Sequence, residues 1–461
     1  MQKELNEHER EIFVEMSPVK SVLALALPTV ISQIITVIYN LADTYFIGRT
    51  NNPNMVASTA ICMPLMLLIT GLANLFGIGG SSLIARCLGV KDFDKARKAS
   101  AFSVWGGVAV ISVYSALLLL FHGPVLKLLG ASDDTIAYCY SYLLWSCVVG
   151  GLPMIMSALL AHLVRSEGAA KEASVGVALG GILNIGLDPL FMFVILPKGQ
   201  EVNGAAIATM LSNLVAAVYF IVYIVRHRRN SVLSLNPRDL SFRDGIPGDV
   251  VAIGLPSFLM TALSSFSNAV VNNLLSDASS AAIAGMGVAK KVNMLSFRVS
   301  TGITQGTLPL IAYSHSSKNY KRMKNAILSA GGICVGFALI CVCVSMIFGR
   351  LFVSFFINEA ATVEYGGNFI GIICVAMPLA ALSITVMMLF QATAQKVQAT
   401  FLSVLRKGVL DVPLMFVFDG IWPLYGVACA TPVAEAVSCV LCIIFAVRFF
   451  KKLRKKAPAI S

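Results

Sequence analysis

The chain has 461 residues, of which 57% are hydrophobic and only 13% charged, with a net charge of +12. Soluble domains carry about 25% charged residues, so this composition excludes one water-soluble core. Apolar stretches of roughly 20 residues recur, the length that crosses hydrocarbon as helix, and strand-like alternation is missing. The basic balance is spread over short loops between these stretches, which argues against nucleic acid as a partner.

Taken in chain order, a charged segment 1–18 is followed by an apolar stretch too long for a signal-peptide core, read as the first span. Twelve spans are expected, at 19–47, 55–85, 100–121, 135–163, 172–196, 203–225, 247–275, 281–312, 326–349, 366–391, 399–420 and 425–448. Segment 19–225 forms an N-lobe, 226–246 an Arg-rich cytoplasmic linker, 247–448 a C-lobe and 449–461 a basic cytoplasmic tail. Of the 35 Lys and Arg, only Arg49, Lys127, Lys198, Lys290, Lys291, Arg298 and Arg350 fall on one side, and the other 28 fall opposite. The positive-inside rule then places both termini in the cytoplasm. Attraction to anionic lipid accounts for the tail KKLRKK.

The halves repeat. Leu-Pro-Thr at Pro28 recurs as Leu-Pro-Ser at Pro256, and GAAIAT from Gly204 as GVACAT from Gly426. LDPLFMFV from Leu187 recurs as LDVPLMFVF from Leu410, and FDKARKA from Phe93 as YKRMKNA from Tyr320. The offsets stay near 225 residues throughout. Six spans per repeat give both halves one orientation. The expected fold is an all-α polytopic membrane protein of twelve transmembrane helices, in two six-helix lobes related by a pseudo-twofold along the membrane normal. Two such lobes suit alternating access.

Ionisable groups inside spans cost about 2.5–3.5 kcal/mol each on insertion scales and mark function by default. Asp43 lies near the outer end of span one and Asp188 in mid-span five, with Asn184 one helical turn before it. Pro189 has no N–H for the carbonyl of Ile185. A carboxylate, an amide oxygen and a freed carbonyl suit a hard cation or a proton, and Ala205 and Thr209 of span six complete the set through a carbonyl or a hydroxyl. Asp43 also fits a solvated interface, Asp188 a bond to a neighbouring helix and Thr209 simple packing. Tyr39, Asn40, Asn268, Asn272 and Lys291 are candidates for the substrate path, and Pro28 for a kink with a gating role. Span seven holds no carboxylate matching Asp43, so the ion site is expected in the first lobe; Asp411 of span eleven stands between site and packing residue. Lys290, Lys291 and Arg298 fit either an outer mouth or a wet cleft. The 11 cysteines lie mostly in apolar spans without metal spacing and read as small packing residues. The five His are scattered, so an enzyme is not expected.

LPTVISQIITVIYNLADTYFIG, VRSEGAAKEA from Val164, LNIGLDPLFMF, GAAIAT and FQATAQKVQATFLSVLRKGVL from Phe390 together resemble the multidrug and toxic compound extrusion (MATE) family. The likeness covers nearly the whole chain and is closest to the DinF-like branch and its MepA-like bacterial exporters. It implies a V-shaped pair of six-helix lobes in the bacterial cytoplasmic membrane, working as a monomer without a cofactor. The implied activity is export of small organic, often cationic, compounds against inward H⁺ or Na⁺. The branch's ion site carries over onto Asp43, Asn184, Asp188 and Thr209, where Na⁺ is a possible occupant, and its bent span one onto Pro28. The other well-known branch has acidic groups in spans seven and ten; here span seven has none beyond Asp249 at its very start, and span ten only Glu364 near its start. A lipid-linked-precursor flippase and a narrow-substrate metabolite exporter are the alternatives.

Overall fold

The computed structural model describes residues 7–50, 52–276, 280–356 and 359–456. After a short helix at 7–15 come twelve helical rods. These are α1 (Pro18–Gly48), α2 (Pro53–Gly89), α3 (Phe93–Leu128), α4 (136–166), α5 (Ala170–Ile195), α6 (Glu201–His227), α7 (Ile246–Ser276), α8 (Ser280–Ser316), α9 (Tyr320–Phe356), α10 (360–392), α11 (396–421) and α12 (Tyr425–Lys456). They match the twelve expected spans one for one. Eight are singly long and apolar enough to cross a membrane, and α4 and α10 qualify as pairs bent by 45° and 44°. The remaining two, α8 and α11, fall short for a chemical reason. The first carries Lys290, Lys291 and Arg298; the second is interrupted by a π-helical stretch, Leu405–Asp411, that includes Arg406, Lys407 and Asp411. Large apolar side chains along the rods point outward, Leu120 being 73% and Ile347 72% exposed. Lipid covers such surface, because hydrocarbon makes no demand for polar partners.

Helix ends are set by local chemistry that repeats between the halves. Asp92 accepts from the amide of Lys95 at 3.1 Å to start α3, and Asn319 accepts from that of Arg322 at 3.0 Å to start α9. The residues just before these caps, Lys91 and Lys318, both take φ near +60°. After α4 the turn uses Gly168 at φ +84°; its counterpart after α10 is Ala394 at φ +56°. α5 widens into a π-helical turn at Phe191–Ile195 just beyond Pro189, and α11 does so at Leu405–Asp411 just before Pro413. The packing repeats as well. α2 packs on α3 and α4, α4 on α3, α5 and α6, and α5 on α6; the same set joins α8 to α12.

Two compact units result. One joins the described residues up to Glu15 with Ile31–Thr261; the other joins Met16–Val30 with the described residues from Ala262 on. The units therefore differ from the lobe boundaries 19–225 and 247–448. α1 and α7 each change unit within two turns of their internal prolines, Pro28 and Pro256. Small residues explain the exchanged halves. Gly306 of α8 lies against Leu25 of α1 and Gly79 of α2 against the backbone of Val250 of α7, closer than a Cβ would permit, and Gly302 of α8 packs tightly on Val30 of α1. Pro28 sits inside a continuous helix.

The segment expected as a linker is docked onto the first unit. Glu167 accepts from the hydroxyl of Ser231 and, at 2.6 Å, from the amide of Val232. The Trp105 indole donates to Leu235 O at 3.1 Å, and Arg97 pairs with Asp239 at 3.3 Å.

Candidate cation site and the buried charge network

In the first unit α1, α5 and α6 converge. Gly180 lies against Ala216 and the carbonyl of Ser212 on α6, and Gly181 against Ile35 and the Tyr39 ring on α1. A Cβ at Gly204 of α6 would come within 2.8 Å of the Met192 backbone, so α6 rests directly on the widened turn of α5. Ile47, Met192 and Ala205 form an apolar cluster with Phe46. These three stand one helical turn from Asp43, Asp188 and Thr209 respectively. The cluster thus fixes the three polar residues of three helices at one level. Ala205 supplies a packed methyl there, fully buried.

Asp188 is fully buried and Asn184 3% exposed. Asn184 Nδ2 donates to Asp188 Oδ1 at 3.0 Å and to Thr209 Oγ1 at 3.3 Å. The amide nitrogen is spent on two oxygens, and Asn184 Oδ1 and Asp188 Oδ2 remain buried without a hydrogen-bond partner. Among the described residues, no Lys, Arg or His pairs with this carboxylate. Asp43 is half-buried and within electrostatic reach of Asp188. Two carboxyl groups, an amide oxygen and a hydroxyl make an oxygen-rich place for a small hard cation or a proton.

Three residues of the surroundings escaped the sequence reading. Tyr142 is buried within electrostatic reach of both Asp43 and Asp188, its hydroxyl on Met66 Sδ at 3.6 Å. Asn213 donates to Thr209 O at 2.9 Å and accepts from Ser157 Oγ at 2.8 Å, so polar contacts run on into α4. Asn213 lies one turn beyond Thr209, a spacing that could have flagged it; Tyr142 and Ser157 carry no such signal.

Of the substrate-path candidates, Asn40 donates to Thr36 O at 2.7 Å within its own helix. Asn268 is exposed and accepts from Lys290 Nζ at 3.0 Å. Lys291 is exposed with Nζ 5.9 Å from the Phe356 ring centre. The Asn272 side chain lies outside the described residues.

The second unit holds a buried charge network instead. Arg406 Nε lies 2.8 Å from both Glu435 oxygens, and Lys407 Nζ 3.0 Å from Asp411 Oδ2 and 3.9 Å from Glu435 Oε1. Ser267 donates to Asp411 Oδ2 at 2.8 Å and Thr431 to Oδ1 at 3.5 Å. Asp411 thus belongs to a neutral set of two acids and two bases. Arg406 and Lys407, which fall within the expected span 399–420 and in the count of 28 bases on the cytoplasmic side, are inside it.

The sequence model of the MatE family matches this chain twice, over residues 28–190 and 256–417, beginning at Pro28 and Pro256. Multidrug export protein MepA of Staphylococcus aureus (strain MRSA252) is 30% identical over 455 residues, 97% of each chain. That of Staphylococcus saprophyticus is 29% identical over 92% of each. A MATE protein solved in the straight conformation superposes with a TM-score of 0.90 at 23% identity, over 98% of this chain and all of the other. The same kind of protein in the bent conformation gives 0.87 at 22% identity, over 99% and 100%. Fold and matches define a multi-pass membrane transporter of twelve helices, and not an enzyme. The chain belongs to the MATE family.

Proposed function

We propose that the protein exports organic, cationic compounds across the bacterial cytoplasmic membrane by antiport against H⁺ or Na⁺, with both termini in the cytoplasm. The observation that carries the reading is the buried pair of partnerless oxygens, Asp188 Oδ2 and Asn184 Oδ1, with no base among the described residues paired to Asp188. A buried carboxylate with no compensating charge is costly, so uptake of a cation lowers the energy of the site. Asp43, Asn184, Asp188 and Thr209 hold that ion. An entering cation gains about 2.3 kcal/mol per 100 mV of membrane potential. Ion and drug occupy the protein alternately, and Pro28 of α1 is the point at which the ion-bound unit is coupled to helix movement. The MepA relatives are multidrug export proteins, which supports a broad organic substrate range.

The test is drug resistance in cells expressing the chain beside Asp188→Asn and Asp43→Asn. Resistance that disappears in either variant at normal membrane abundance is the expected outcome. Resistance retained in Asp188→Asn sinks the assignment of the ion site.

A further inference from the structure

The repeat that pairs α5 with α11 also pairs their polar residues. Asp188 corresponds to Asp411 and Asn184 to Lys407, each pair 223 positions apart, and Thr209 corresponds to Thr431. The geometry follows the correspondence. In both units the residue one turn before the aspartate donates to it at 3.0 Å, Asn184 Nδ2 in one case and Lys407 Nζ in the other. In both a threonine of the following helix lies in the same cluster, Asn184 to Thr209 at 3.3 Å and Thr431 to Asp411 at 3.5 Å. A proline and a π-helical stretch adjoin each aspartate. The difference is charge. The first cluster keeps two buried oxygens without partners, whereas both oxygens of Asp411 are taken by Lys407, Ser267 and Thr431.

We propose that the second unit contains a latent copy of the cation site, in which the Lys407 ammonium stands where a monovalent cation would otherwise bind. This rests on the reading of the Asp188 cluster as a cation site. A side-chain ammonium is a unit positive charge with three donors, and at 3.0 Å from Asp411 Oδ2 it meets the carboxylate as a bound ion would. Tethered to the helix, it neither exchanges nor leaves. Arg406 and Glu435 satisfy each other alongside, and Lys290, bonded to Asn268, adds a further positive charge within electrostatic reach of Asp411 and Lys407. A mobile cation is therefore opposed at this place, and ion uptake is confined to the first unit.

The residue type at the paired position predicts how to open the copy. Lys407→Asn installs the first unit's own amide and frees Asp411. The measurement is ²²Na⁺ bound per purified full-length chain, together with protons released on an alkaline pH jump. Wild type is expected to bind one cation equivalent and K407N two, a twofold gain that D411N removes in the K407N background. K407N/K290A is measured in parallel, because Lys290 is a base within electrostatic reach of Asp411 that could replace the lost ammonium. A gain in either variant that depends on Asp411 sustains the inference; no gain in both, in monodisperse protein, overturns it. If both aggregate, D411N alone decides: unchanged binding is expected, and loss of an equivalent overturns the inference. D188N separates the two claims. Wild-type binding retained in D188N refutes the first-unit site, while an Asp411-dependent gain in K407N still stands for the second.

Discussion

The buried charge network of the second unit gives the sharpest energetic test. Arg406→Met removes a guanidinium whose Nε is 2.8 Å from both Glu435 oxygens, in a pair whose side chains are 5% and 3% exposed. At an effective dielectric constant of about 20, that contact is worth about 6 kcal/mol of gross attraction. Lys407 replaces only part of it, being 3.9 Å away and already committed to Asp411 at 3.0 Å. The network then carries one negative charge too many, and removal of one partner of a buried pair costs about 3–5 kcal/mol. For a unit of this size the melting temperature of the detergent-purified protein should fall on the order of 10 °C. Arg406→Met/Glu435→Gln restores neutrality and should recover most of the loss, since well-packed neutral replacements of buried ion pairs are often tolerated. The assay is thermal unfolding of the four members of the double-mutant cycle. A single variant within about 1 kcal/mol of wild type, or a double variant no better than the single one, refutes the reasoning.

Other consequences are local. Ala394→Gly should stabilise the protein by about 1 kcal/mol, because alanine at φ +56° pays for a left-handed backbone that Gly168 adopts freely; Gly168→Ala should do the reverse, and thermal melts compare them. Gly204→Ala places a Cβ 2.8 Å from the backbone of Met192 and should push α6 from α5, weakening ion-driven efflux at least tenfold with protein still in the membrane; transport per chain measures it. Glu167→Ala leaves the Val232 amide without its acceptor and should cost about 1–3 kcal/mol, read as faster proteolysis within 228–245.

The helical architecture was legible because an apolar span is a strong one-dimensional signal, and the repeat offsets gave the pairing of halves. The exchanged ends of α1 and α7 were not, since contacts of Gly302 with Val30 or Gly79 with Val250 are made far apart in sequence. The first-unit cluster was readable from Asn184, Asp188 and Pro189, whose spacing lies within one helix. Its packing against Ile47, Met192 and Ala205 needed three helices at one level. Arg406 and Lys407 were not singled out, because a count of bases by side does not tell an interior base from one at a membrane face. Only the paired positions of Asn184 and Lys407, and Glu435 on the neighbouring helix, reveal them as interior.

Ion coupling turns on Asp188, and counterflow in proteoliposomes isolates its contribution. Purified protein is reconstituted, an inward Na⁺ gradient and an inward pH gradient are imposed separately, and ethidium movement is followed beside Asp188→Asn. The Asn side chain can still accept from Asn184, so the variant should remain folded. Gradient-driven ethidium movement is expected in the wild type with at least one of the two ions, and none in Asp188→Asn. Wild-type counterflow in the variant would contradict that dependence.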